Sequence, residues 1–191
     1  MGKEIPNFYA VEGLDGAGKS SVISELKNMG VRTIATPPEV LKKYRHIFEN
    51  TDLRIRFLYY LMGVKMAGKQ AEDYKGKELV ISDRFLLTTL SAHEAMGISK
   101  KWISLWTPLI NSVARPEKTF IVVCDEEERL RRLFSRGANQ VDMNNLKIND
   151  QILNGYRDWS KKLGYTMEEL NTTNITPLEG ANHIANFKNK R

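Results

Sequence analysis

Four short apolar runs punctuate the chain: Phe8–Val11, Val31–Ala35, Leu79–Ser82 and Thr119–Cys124. They lack regular polar–apolar alternation, which predicts strands buried on both faces, as in a parallel sheet. Between them the apolar positions recur at helical period. Ser20–Met29 follows the first strand, and Leu53–Gly68 is densely apolar and aromatic. In Lys100–Val113 the residues Trp102, Ile103, Trp106, Leu109, Ile110 and Val113 mark one face of a helix. Leu130, Leu133 and Phe134 form another stripe, and Leu178, Ala181, Ile184 and Ala185 mark a last helix opened by Pro177. A fifth strand falls within Tyr165–Leu170. Strands alternating with helices predict an α/β fold, a parallel sheet with helices on both faces. Ligands in such folds bind beyond the carboxyl ends of the strands, so the chemistry belongs in the loops after Val11, Ala35, Ser82 and Cys124.

The first of these loops carries the clearest signal. In AVEGLDGAGKSS, Gly13, four residues, and then Gly18-Lys19-Ser20 match the G-x-x-x-x-G-K-[ST] pattern between a predicted strand and a predicted helix. Gly13, Gly16 and Gly18 let the backbone turn N–H groups inward around phosphate oxygens, and the helix N-terminus adds partial positive charge. Lys19 is a mobile point charge for the outer phosphates, and the Ser20 hydroxyl can ligate Mg²⁺. The alternative, a glycine-rich turn with a chance lysine, does not explain the full motif in this context. The loop therefore predicts a nucleoside triphosphate site. An Asn-Lys-x-Asp stretch for guanine is missing, and ring ATPases need longer chains, which leaves a small-molecule kinase.

Composition narrows the setting. The chain has 191 residues, 41% hydrophobic, enough for one domain. No apolar run reaches membrane-spanning length, and the opening MGKEIPNFYAV has no apolar secretory core. One cysteine, Cys124, fits a reducing compartment, and His46, His93 and His183 show no metal-ligand spacing. The expectation is a soluble cytoplasmic protein that does not engage a membrane. The formal charge of +6 suits a protein that holds several phosphates. A nucleic-acid-stimulated ATPase would need a basic stripe interleaved with aromatics, and the aromatics at 57–60 lie instead in an apolar helix.

LVISDRF places Asp83 and Arg84 at the carboxyl end of a buried strand. An acid there can orient Mg²⁺ or the attacking oxygen, and a guanidinium can clamp a phosphate; the bland reading is a simple ion pair at a strand end. FYAVEGLDGAGKSS followed by VISDRFLLTTLSAHEA resembles the thymidylate kinase family and its deoxynucleoside kinase relatives, as do RRLFSRG, GYRDWSKKL and the terminal TPLEGANHI. The resemblance covers nearly the whole chain. It implies a P-loop NTPase-type three-layer sandwich with a five-stranded parallel core, a lid at about residues 137–146, ATP and Mg²⁺ as cofactors, and a homodimer. It implies that Gly13, Asp15, Gly16, Ala17, Gly18, Lys19, Ser20 and Ser21 hold the ATP phosphates. Asp15 would also meet the acceptor's sugar, Asp83 and Ser20 would serve Mg²⁺, and Arg84 would hold the acceptor's phosphate. Arg132 and Arg136, entering the lid GANQVDMNN, would contact ATP, and Asn171–Thr176 would lie beside the adenine. Spacing alone reads Arg129, Arg132 and Arg136 as a solvated helix face; Gly137 and the resemblance shift the reading.

Three departures bear on the acceptor. Where the family has Arg-Glu-Pro this chain has Thr36-Pro37-Pro38, and where it has a phosphate-binding arginine on the apolar helix this chain has Met62-Gly63-Val64. Phe57, Tyr59 and Tyr60 remain for stacking on a base. At Ser91-Ala92-His93 the family has Ala-Tyr-Gln, so His93 either replaces the glutamine as a donor or packs a helix. The expectation is that Arg45, Arg56 or Lys65 replaces the missing phosphate grips and the acceptor is a small-molecule nucleotide, dTMP. A deoxynucleoside kinase ranks second and a weak ATP-binding regulatory protein third.

Overall fold

Five parallel strands form one sheet in the order β2-β3-β1-β4-β5. They are β1 (Glu4–Gly13), β2 (Arg32–Ala35), β3 (Val80–Asp83), β4 (Arg115–Val123) and β5 (Met167–Asn171). The computed structural model describes residues 2–137 and 146–187. The expected lid, 137–146, therefore falls almost wholly outside the described residues. Along β1 the pleat sends Phe8 and Ala10 to one face and Tyr9 and Val11 to the other, which explains the unbroken apolar runs.

On one face lie α4 (Leu53–Asp73), α5 (Leu86–Ala95) and α9 (Asn149–Leu163), contributing Phe57, Leu61, Leu90 and Trp159 to the larger core. On the other lie α1 (Lys19–Asn28) and α10 (Pro177–Ala185), contributing Val22, Leu26, Ala181 and Ile184. Local chemistry sets the helix starts. The Asp52 carboxylate accepts the Arg54 amide at 2.8 Å, and Thr176 and Glu179 form a reciprocal capping box. Two short helices, α2 (Glu39–Lys42) and α3 (Arg45–Glu49), bridge β2 to α4. No described helix is long and apolar enough to cross a membrane.

Two sequence expectations need correction. Lys100–Val113 is not one helix but two, α6 (Lys100–Ser104) and α7 (Thr107–Asn111), with Pro108 in the first turn of the second. Proline has no amide to continue the earlier helix. Its apolar stripe is real, since Ile103, Ile110 and Val113 are buried. In α8 (Glu126–Ser135) Phe134 is 58% exposed, and the buried face belongs to Arg129 and Leu133, four residues apart.

Candidate active site

β1 runs directly into the phosphate loop. Gly16 has φ of 83°, and a Cβ there would stand 2.8 Å from the Arg129 carbonyl oxygen and 2.7 Å from Leu133 Cγ. Only glycine permits both this backbone conformation and this approach to α8. The loop walls a cavity of about 230 Å³ with Asp15, Gly16, Gly18, Lys19, Ser20 and Ser21 on one side and Arg132 and Arg136 on the other. The arginines expected at the lid entrance thus face the loop expected to hold triphosphate. Ala17 is buried beneath it.

Lys19 is buried, and its Nζ donates to Asp83 Oδ1 at 3.1 Å. Burial, and then repulsion from Arg84, push the lysine below its usual pKa; Asp83 and Asp15 pull it back. Arg84 follows with φ of 61°, in the left-handed region rarely adopted by a residue with a Cβ. The turn is held from several sides. The Arg84 amide donates to the Val11 carbonyl at 2.9 Å, and Ser82 Oγ donates to the Arg84 carbonyl at 2.6 Å. Nη1 donates to the Gly13 carbonyl at 3.0 Å, and Nη2 donates to Asp15 Oδ1. Such over-determination is what keeps a strained residue in place at a functional site. Burial opposes the guanidinium's charge, but Tyr156, Asp15, Asp83 and Glu12 outweigh it and hold the arginine above its usual pKa.

Sequence reasoning gave Glu12 and Arg129 no role in this neighbourhood, and it placed Thr172 only within the stretch Asn171–Thr176. Glu12 is fully buried and accepts the Thr88 amide at 3.3 Å and the Thr88 hydroxyl. Burial pushes its carboxyl up in pKa, while bonds from Thr88 and Phe85 and the charge of Arg84 pull it down. The available signal was a carboxylate in an otherwise apolar strand end. Arg129, 2% exposed, donates from Nη1 to the Asp15 carbonyl at 3.1 Å and grips Glu126 at 2.8 and 2.6 Å. Thr172 donates to the Ala17 carbonyl at 2.8 Å and accepts Arg132 Nη1 at 3.1 Å. It ties the loop after β5, expected beside adenine, to the phosphate loop.

A second cavity, of about 530 Å³, opens on the other side of Lys19. Asp15, Lys19, Asp83, Arg84, Arg45, Tyr60 and His93, all expected site residues, line it together. The two cavities share Leu14, Asp15 and Lys19. Phe57 does not line it: the ring is fully buried, edge-on to His93 and Trp102 with centroids 5.5 and 5.4 Å apart. Of the cations expected to replace the missing grips, Arg45 and Arg56 line the cavity, whereas Lys65 donates to Ser112 Oγ at 3.1 Å elsewhere. Arg45 is paired with Glu49 at 2.6 Å, and Tyr60 donates to the same carboxylate at 3.0 Å.

A parallel sheet whose two strand-end cavities meet at a buried lysine has room for two ligands side by side, as a phosphotransferase requires. Comparison narrows the class. Residues 11–176 match the family model for thymidylate kinase, and the chain belongs to that family. A probable thymidylate kinase of Methanopyrus kandleri is 28% identical over 152 residues, spanning 71% of this chain and 75% of that one. A thymidylate kinase structure from Ehrlichia chaffeensis shares the fold with a TM-score of 0.63 at 19% identity, covering 100% of both chains. The deoxyadenosine kinase of M. mycoides with bound dCTP gives 0.68 at 15% identity, over 96% of this chain and 100% of that one.

Proposed function

We propose that the protein transfers the γ-phosphoryl group of ATP to a nucleoside monophosphate, with dTMP as the acceptor. One observation carries this reading: the loop cavity and the larger cleft join at Lys19, with Asp83 and Arg84 on the cleft side. ATP phosphates lie in the glycine loop against the N–H groups opening α1. Lys19 spans the junction, where a group passing between cavities carries its negative charge. Arg84 offers its fork to the acceptor phosphate, and Asp83 faces the same corner through Lys19. Arg132 and Arg136 add positive charge from the far wall. Catalysis is alignment plus charge stabilisation.

The donor set fits Mg²⁺. Ser20, in the first turn of α1, is an exposed residue, and the Asp83 side chain is 36% exposed, leaving a carboxylate oxygen for a hard cation that otherwise takes phosphate and water. Bound there, the ion would neutralise phosphate oxygens; the chain's own part is to position these two oxygens beside Lys19.

A second reading, transfer to a nucleoside, is favoured by the contact between Pro37 and Gly63. That contact packs the residue after Thr36, where the resemblance expects one arginine, against the helix segment 62–64, where it expects the other.

The test is transfer of label from γ-labelled ATP to dTMP and to thymidine by the full chain, beside Lys19→Ala. Labelled dTDP, lost in Lys19→Ala, is the expected product. Labelled dTMP from thymidine alone establishes the second reading, and saturable ATP binding without any labelled product overturns both.

A further inference from the structure

Arg129 is buried, yet it borders neither cavity. With Leu133 it makes up the buried face of α8. Packing alone would place an apolar residue there, because a guanidinium is almost never buried unless its donors are used. The donors of Arg129 are used in two directions. Nε and Nη2 fork onto Glu126 at 2.8 and 2.6 Å, and Nη1 donates to the Asp15 carbonyl at 3.1 Å. The Glu126 side chain is 65% exposed, so the pair is anchored at the surface and its inner end lies under the phosphate loop.

The residue it reaches is shared by both cavities. Asp15 borders each of them, its carbonyl held by Arg129 and its carboxylate by Arg84 Nη2. The peptide that joins Asp15 to Gly16 is rigid and planar, so its N–H points opposite its carbonyl. A carbonyl fixed toward Arg129 therefore turns the Gly16 N–H the other way. Glycine at position 16, with φ of 83°, offers little resistance of its own to a reversal of that peptide. Reversed, it would present an oxygen where the loop presents an amide, and it would disturb the backbone from which the Asp15 carboxylate reaches Arg84.

We propose that Arg129 is a positioning residue for both ligands. It locks the Asp15–Gly16 peptide, which keeps an amide for the donor phosphates and the Asp15 carboxylate against Arg84. It touches neither ligand and sets the geometry of the junction between them. Arg84→Met removes a contact on the acceptor side and Thr172→Val loosens the donor side, whereas loss of Arg129 reaches both.

The inference rests on the reading that donor and acceptor meet at Lys19, and separate titrations distinguish the two. Calorimetry on the full chain gives the affinity for ATP with Mg²⁺ and the affinity for dTMP, each ligand alone. Arg129→Met keeps the stem that packs on Gly16 and deletes the donors. It should weaken ATP and dTMP alike, about fivefold each. Arg129→Lys, with an ammonium left for the Asp15 carbonyl, should bring both to within about twofold of wild type. A packing role would instead lower the urea midpoint and leave both affinities in place. A double-mutant cycle reads the route. In an Arg84→Met background, Arg129→Met should cost dTMP less than about twofold, because the carboxylate it steadies has lost its partner. Unchanged affinities, loss of one ligand only, or equal losses with and without Arg84 overturn the inference. Should Arg129→Met fail to fold, Glu126→Gln weakens the fork from its exposed end and should weaken both ligands together about twofold; no change then overturns it. A wild type that binds ATP but not dTMP overturns the proposed acceptor alone, and the ATP titration then decides the role of Arg129.

Discussion

Pro37 sits directly on Gly63. A Cβ built on Gly63 would lie 2.7 Å from Pro37 Cβ and 3.1 Å from Pro37 Cα. Two of the three departures from the family pattern are therefore neighbours in space: the loop after β2 packs on the middle of α4 beside the positions where the resemblance expects two arginines. Proline's ring and backbone cannot swing aside as a long side chain would. Gly→Ala within a helix ordinarily gains about 1 kcal/mol, but overpacking costs about 1–3 kcal/mol. Gly63→Ala should come out destabilising, read as a lowered urea midpoint with an unchanged slope. A raised midpoint would show that the contact is loose.

In the proposed reaction Arg84 holds the acceptor phosphate. Arg84→Met keeps the apolar stem and deletes the fork. Losing one partner of a buried charged pair costs about 2–5 kcal/mol, so kcat/KM for the acceptor should fall about a hundredfold or more. The KM for ATP should stay within about threefold, since the glycine loop grips the triphosphate separately. Equal damage to both substrates would relocate Arg84 to the donor side.

Thr172 joins donor-side elements far apart in sequence. Thr172→Val conserves shape but removes the oxygen that bonds Ala17 and receives Arg132. A lost hydrogen bond of about 1 kcal/mol should raise the ATP KM about fivefold and leave acceptor KM unchanged. An unchanged ATP KM would mean that Glu128, at 2.6 Å, and the Thr172 carbonyl, at 2.9 Å, hold Arg132 without the hydroxyl.

The glycine loop was legible because its chemistry is contiguous: Gly13 through Ser21 act as neighbours in both chain and space. Asp83 and Arg84 were legible for the same reason, at the end of a strand whose apolar run announced it. What escaped reading depends on elements meeting. Arg129 looked like one of three surface arginines until α8 packed its own buried face on Asp15 and Gly16. On α4, apolar residues surround the helix, so the sequence could not set its rotation. Phe57 and Tyr60 were equal candidates until packing sent one into the core and the other to the cleft. The ring nitrogen of His93 was assigned a role from the residue it replaces, and only the Thr89 carbonyl fixes which nitrogen is protonated.

His93 also gives the protein a pH signature. Its pKa falls from 6.5 to about 4, chiefly through burial; the Thr89 carbonyl opposes this and the charge of Arg56 assists it. Between those values the unfolded chain takes up a proton that the folded one refuses. Acidification therefore favours unfolding: stability is intact above pH 6.5, declines as pH falls, and has lost this contribution by about pH 4, at most ~3 kcal/mol. Carboxylates titrate in the same range, so the informative quantity is wild-type stability minus that of His93→Phe, from urea unfolding at each pH. That difference should be constant from pH 7 to 8 and drop steadily toward pH 4, because phenylalanine fills the same space beside Phe57 without a proton to gain. A difference independent of pH would show that the imidazole titrates as freely as in the unfolded chain, and that it is not held neutral against Arg56.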